Sequence, residues 1–201
     1  MTGADLSREW RGSATLNAVL HNELVTLGIA SRDIDLLIGI GQVRLCRGDL
    51  FEPDPDGRAC LITPVCVHTA LDPESSAPEV FCRVGAIVDL VAWHPEQPDR
   101  FALRVGDAEW LGCIEPQYLE PELTPVPIRR SVLSWFQAGC TGLVLLSRSR
   151  LDQYRILMNC CGGIIAEDAA HHAELRRILS APVQHSADLD AGQKPYEAWC
   201  A

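Results

Sequence analysis

Near the N-terminus, apolar residues fall three and four apart: Leu16, Val19, Leu20, Leu24 and Leu27 share one face of a helix. That spacing predicts a helix over 13–29, opened by Ser13 as N-cap and ended near Gly28. Residues 31–38 predict a short second helix capped by Ser31. The polar residues 1–12 and 185–201 are expected to be frayed ends.

The middle of the chain carries short apolar runs punctuated by turn residues. QVRLCRGDLF and RACLITPVCV flank Glu52-Pro53-Asp54-Pro55-Asp56-Gly57, which predicts a hairpin pairing 42–51 with 58–67. Strands over 86–93, 101–105 and 108–113 are expected to form a β-meander. Residues 70–79 read as a polar loop, and the prolines of 115–127 as an extended loop without regular structure.

The last third changes character. A helix over 130–139, a buried strand over 141–147, a helix over 149–160, a strand over 162–167 and a helix over 168–179 follow one another. This order predicts a βαβα section with parallel pairing of 142–147 and 163–166. The expected fold class is α+β: an N-terminal helix, a mainly antiparallel sheet made of hairpin and meander, and the C-terminal βαβα section. The 201 residues suit a single globular domain.

Charge narrows the partners. With 17 basic and 27 acidic residues the net charge is −10, which opposes non-specific binding to nucleic acid. Arg129, Arg130, Arg148 and Arg150 lie in a locally basic stretch, so a nucleic-acid partner is expected only through such a patch. Lys194 is the sole lysine, a skew that fits a GC-rich bacterial coding sequence. No apolar run reaches the ~18–20 residues of a membrane helix, so no membrane partner is expected. The nine cysteines are odd in number, lack any CxxC pair, and lie mostly in apolar runs. Free thiols in a cytoplasmic protein follow.

Several chemical motifs fail at the residue level. Counting from Glu52, the twelfth position of a calcium loop is Thr63. Gly39-Ile40-Gly41 is followed by Arg44 where a dinucleotide fingerprint needs glycine, and no GxxxxGK[ST] occurs. Glu167, Asp168 and His171 form the best polar cluster: spaced three and four apart at a helix start, they could offer metal ligands on one face. Asp168 is equally what a helix N-cap requires. Trp93, His94 and Trp110 could share a face of neighbouring strands as a binding platform, or fill the core. Cys140 and the Cys160-Cys161 pair sit at element boundaries, but a nucleophile also needs a base and an orienting group. No catalytic residue and no cofactor is predicted.

The stretches IVDLVAWHPEQPDRFALRVGDAEWLGCIEPQYLEPE, RRSVLSWFQAGCTGLVLLSR and GGIIAEDAAHHAELRRIL resemble an uncharacterised family of alphaproteobacterial hypothetical proteins, whose members often resemble cargo of prophages and other mobile elements. The likeness covers about residues 84–180, and its Trp-His-Pro and Gly-Cys-x-Gly-Leu-Val-Leu-Leu pieces are specific. It implies no activity and gives no residue a role. The expected function is therefore that of a non-enzymatic binding or accessory protein of a prophage or mobile element, with its protein partner unknown. A metal-dependent enzyme acting on phosphodiesters, or a nucleic-acid adaptor using the arginine patch, stand as alternatives.

Overall fold

The computed structural model describes residues 1–67, 86–112, 124–160 and 162–180. Its α+β fold joins a five-stranded barrel to a four-stranded sheet.

The polar start is ordered, not frayed. Helix α1 (Gly3–Arg11) begins with a capping box, in which Thr2 Oγ1 accepts the Asp5 N–H and the Asp5 carboxylate accepts the Thr2 N–H. Leu6 is buried in the barrel's core, and Glu9 meets Arg104 at 2.9 Å. Leu6 and Trp10 are too sparse to give a helical period, and the cap and the barrel supply what the period lacks.

Helix α2 (Ala18–Thr26) is shorter than expected and is capped by Asn17, because Ala14 and Ile40 exchange backbone hydrogen bonds and hold 13–16 out of the helix. Helix α3 (Ser31–Leu37) has Ala30 at its N-cap, with no side-chain cap.

The barrel contains β1 (Gly39–Cys46), β2 (Leu50–Pro53), β3 (Arg58–Val67), β4 (Ala86–Trp93) and β5 (Phe101–Leu103), in the order β1-β2-β5-β4-β3. The predicted strand 42–51 is two strands, since Gly48 and Asp49 adopt positive φ (77° and 56°) and turn the chain back on itself. β3 pairs with β1, Gly39 opposite Ile62 through Val43 opposite Arg58. The Glu52–Gly57 turn thus leads from β2 round to the other side of β1. β4 and β5 pair antiparallel as the meander predicts. The barrel closes where Leu50 meets Leu103 in parallel.

The meander's third strand leaves the barrel. β6 (Trp110–Leu111) belongs to the second sheet with β7 (Val126–Arg129), β8 (Leu143–Leu145) and β9 (Ile164–Ile165), ordered β6-β8-β7-β9. β8 and β9 are not neighbours: β7 lies between them and pairs in parallel with both. Helices α4 (Val132–Gln137), α5 (Arg150–Met158) and α6 (Ala169–Ser180) follow the predicted order. Residues 70–79, 185–201 and most of the 115–127 loop lie outside the described residues; within that loop, 126–127 begin β7.

Three apolar clusters hold the molecule together. One fills the barrel around Phe51, Ile62 and Leu90. One lies on α5, α6 and the second sheet around Ile128, Leu143, Ile156 and Leu175. The largest joins the two through Trp93, Val91, Phe136, Val144 and Leu146. Among the described residues no helix is long and apolar enough to cross a membrane.

Candidate functional site

Asp89 stands in the middle of β4 with no exposed surface. Burying a carboxylate is strongly unfavourable unless hydrogen bonds replace its water. Here six backbone N–H groups do so. Oδ1 accepts from Leu90, Arg104 and Val105, and Oδ2 accepts from Gly106, Asp107 and Ala108, at 2.8–3.2 Å. The carboxylate therefore wraps the loop after β5 around itself, a backbone nest closed by a side chain of the same protein. The sequence signal is one acid inside the apolar run AIVDLVAW.

That clamped loop forms one wall of a cleft of about 370 Å³, set where the barrel closes against the second sheet. Leu50, Leu103, Ala108 and Leu146 form its apolar lining, with Phe101 presenting an aromatic ring. Asp49, Asp107, Glu109 and Asp152 add carboxylates. Among the described residues of the lining, Arg148 alone is cationic. Its guanidinium lies 5.0 Å from the Phe101 ring centre and 3.2 Å from the Asp49 carboxylate. Arg155, just outside, reaches Glu109 at 3.6 Å and Asp152 at 3.2 Å. The cleft is half open and its accessible lining is more polar than apolar, the proportions of a surface groove that meets another macromolecule rather than of an enclosed small-molecule pocket. Its walls come from the β1–β2 turn, β5, the clamped loop, the end of β8 and α5, segments distant in the chain, so no local motif announces it.

The residues singled out from the sequence are employed elsewhere. Asp168 Oδ1 accepts the His171 N–H at 2.8 Å and pairs with Arg130 at 3.0 Å, so it caps α6. Its carboxyl is held below the usual range, first by that backbone hydrogen bond and further by Arg130. His171 is buried, and its Nδ1 accepts the Glu167 N–H at 3.3 Å. Burial pushes its pKa down, Arg130 pushes it the same way, and Glu167, Glu174 and Asp168 oppose them. Among the described residues no group of three His, Cys, Asp or Glu is placed to hold a metal ion. The geometry thus does not assemble the proposed Glu167, Asp168 and His171 ligand set: one member is a cap and another an interior acceptor.

The arginine patch is likewise engaged. Arg129 donates to the Thr141 carbonyl, Arg130 pairs with Asp168, Arg148 with Asp49, and Arg150 donates to the Arg177 carbonyl. The aromatic platform is not formed either. Trp93 is fully buried, donates its indole N–H to Thr63 Oγ1 at 2.9 Å and stacks on Phe136, while Trp110 packs on a different cluster. His94 turns back to Glu96, whose N–H its Nδ1 accepts. Cys140 adopts a φ of 60°. Burial pushes its thiol far up, and the negative charge of Asp33 pushes it further, opposite to what a nucleophilic thiolate needs.

One grouping escaped the sequence reading. Ser31 Oγ lies 3.2 Å and Asp35 Oδ1 3.3 Å from His21 Nε2. A serine nucleophile requires its acid partner on the opposite ring nitrogen, so that Nε2 is free to take the serine proton. With both partners on Nε2, the trio ties α2 to α3 and is not a triad.

No family model, curated protein or solved structure matches the chain.

Proposed function

We propose that this chain is a non-enzymatic binding protein, an accessory factor of a bacterial prophage or mobile element, working in the cytoplasm through contact with another protein. The cleft carries this reading: it combines half-buried Leu50, the Phe101 ring and the carboxylates of Asp49, Asp107, Glu109 and Asp152 at the junction of barrel and sheet. Asp89 supports it by holding the loop of Asp107 and Ala108 in a fixed shape, since a preorganised surface loses less freedom on binding. The fate of the reactive groups supports the non-enzymatic part: the Cys140 thiol is pushed up, and His21 Nε2 is shared by two partners. The resemblance over residues 84–180 supports the mobile-element setting.

The test is recovery of the tagged protein from its own host, read for protein, nucleic acid and metal together. A protein partner held in stoichiometric amount by the wild type and lost by Asp107→Arg is the expected result. Asp107 is exposed, so the reversed charge alters the cleft without disturbing the core. Metal-dependent turnover of a phosphodiester or nucleotide panel by the purified protein overturns the reading. So does a partner that Asp107→Arg retains in full.

A further inference from the structure

We propose that the cleft receives an arginine side chain from a basic segment of the partner protein, and that Arg148 occupies that place in the free chain as a tethered stand-in. This rests on the cleft being the binding face. A guanidinium is recognised in two ways, by stacking on an aromatic ring and by pairing with a carboxylate. Arg148 uses both, on Phe101 and on Asp49. The stacked guanidinium is an observation separate from the carboxylates, and it gives the cleft a ligand chemistry.

Arg148 is also poorly tethered. Its side chain is 58% exposed and that of Asp49 51%, and an ion pair so open to water is a weak latch. Half-buried Leu50 and Phe101 offer an incoming arginine apolar surface that its methylene stem covers. Arg155 lies beside Glu109 and Asp152, whereas exposed Asp107 is left facing solvent in the cleft lining. The charge of −10 draws a basic partner from a distance. Binding then exchanges one guanidinium for another: Arg148 swings into solvent as the partner's arginine takes its place on Phe101.

The test uses the full chain and a fluorescein-labelled hexaarginine peptide in about 150 mM salt, with hexalysine as control. Hexaarginine is expected to bind about fivefold or more tightly than hexalysine, because only the planar guanidinium both stacks and forks. Arg148→Gln removes the internal competitor and is expected to tighten hexaarginine binding about threefold or more. Arg150→Gln removes the same charge from the neighbouring helix, where Arg150 bonds the Arg177 carbonyl, and is expected to change binding much less. Phe101→Leu is expected to weaken it about fivefold. Should Phe101→Leu not fold by circular dichroism, the two arginine variants decide alone. Equal tightening by both, equal binding of the two peptides, or no binding of hexaarginine overturns the proposal. If hexaarginine fails while partner recovery still depends on Asp107, the arginine assignment falls and the binding face stands.

Discussion

Asp89 accepts three N–H groups on each carboxylate oxygen, and all six belong to the residue beside it or to one loop. Asp89→Asn replaces one acceptor oxygen with an NH2 group that faces three donors, whichever way the amide is turned. Leaving buried donors unmatched costs about 1–3 kcal/mol each, partly relieved by relaxation, so the variant is expected to lose about 2–4 kcal/mol of stability. Urea unfolding measures the loss, and hydrogen exchange at 104–108 locates it. A loss below about 0.5 kcal/mol refutes the clamp. At this scale the sequence was legible where a residue acts on its neighbours. The Asp168 cap of α6 could be read from Asp168 and the apolar periodicity after it. The Asp89 clamp could not: the acid in an apolar strand is visible, but its partners at 104–108 reach it only through the pairing of β5 with β4 and the turn of the loop after β5. For the same reason Trp93 looked available for binding, though Thr63 and Phe136 close over it.

Helix α6 contains an element-scale pH response. His171 is 4% exposed, and Nδ1 accepts the Glu167 N–H only while that nitrogen is unprotonated. Burial, aided by Arg130, lowers its folded pKa below the ordinary 6.5, against the opposing pull of Glu167, Glu174 and Asp168. Below pH 6.5 the unfolded chain takes up a proton that the folded chain refuses, so stability is full above that value and falls as pH drops towards the lowered folded pKa. Asp168, whose pKa is also lowered, adds a separate loss that begins only in the carboxylate range, below about 3.8. Thermal melts in steps from pH 7.5 to 5 are expected to show falling stability in the wild type and a shallower fall in His171→Leu; parallel curves would refute the assignment. Elsewhere the elements were legible where local rules govern them, as in α4 within the predicted 130–139 helix and β4 with its apolar run. β7 was not, because Pro125 and Pro127 argue against a central strand. The register resolves the conflict. Val126 donates its N–H to Gly163 on the β9 side, so Pro127 faces β8, and the β8 ladder begins one residue later, at Ile128 opposite Leu143. The missing N–H therefore forfeits no ladder bond.

For the molecule as a whole, strand pairing across long stretches of chain was the illegible part. Apolar runs announced strands but not that Leu50 and Leu103 would close a barrel, nor that β6 would leave it for the second sheet. Pairing partners are chosen by non-local packing, and one chain's periodicity carries little of that information. The cleft exists only because of those pairings, which is why its residues looked like scattered loop and strand positions. The same packing has a thermodynamic consequence. Leu61, Val91 and Trp93 of the barrel share one buried cluster with Val132, Trp135 and Phe136 of α4 and Leu111, Val144 and Leu146 of the second-sheet region. Neither sheet can unfold without exposing apolar surface on the other, so barrel and second sheet are expected to lose structure in one cooperative transition. Trp10 packs against the barrel's cluster and Trp110 against that of α5 and α6, so each is a native fluorescence reporter for one side. The fluorescence lost on Trp10→Phe or Trp110→Phe, taken as the difference from wild type because Trp93, Trp135 and Trp199 emit in every case, isolates each indole and is compared in urea with far-ultraviolet circular dichroism. For each indole, the fluorescence difference and circular dichroism are expected to give one midpoint and one slope. If Trp10 and Trp110 instead follow different transitions, each resolved in the matching circular dichroism, the barrel and the second sheet are separable folding units. The shared cluster around Trp93 and Phe136 would then be a contact between them, and the cleft a hollow at the boundary of two bodies that can move apart.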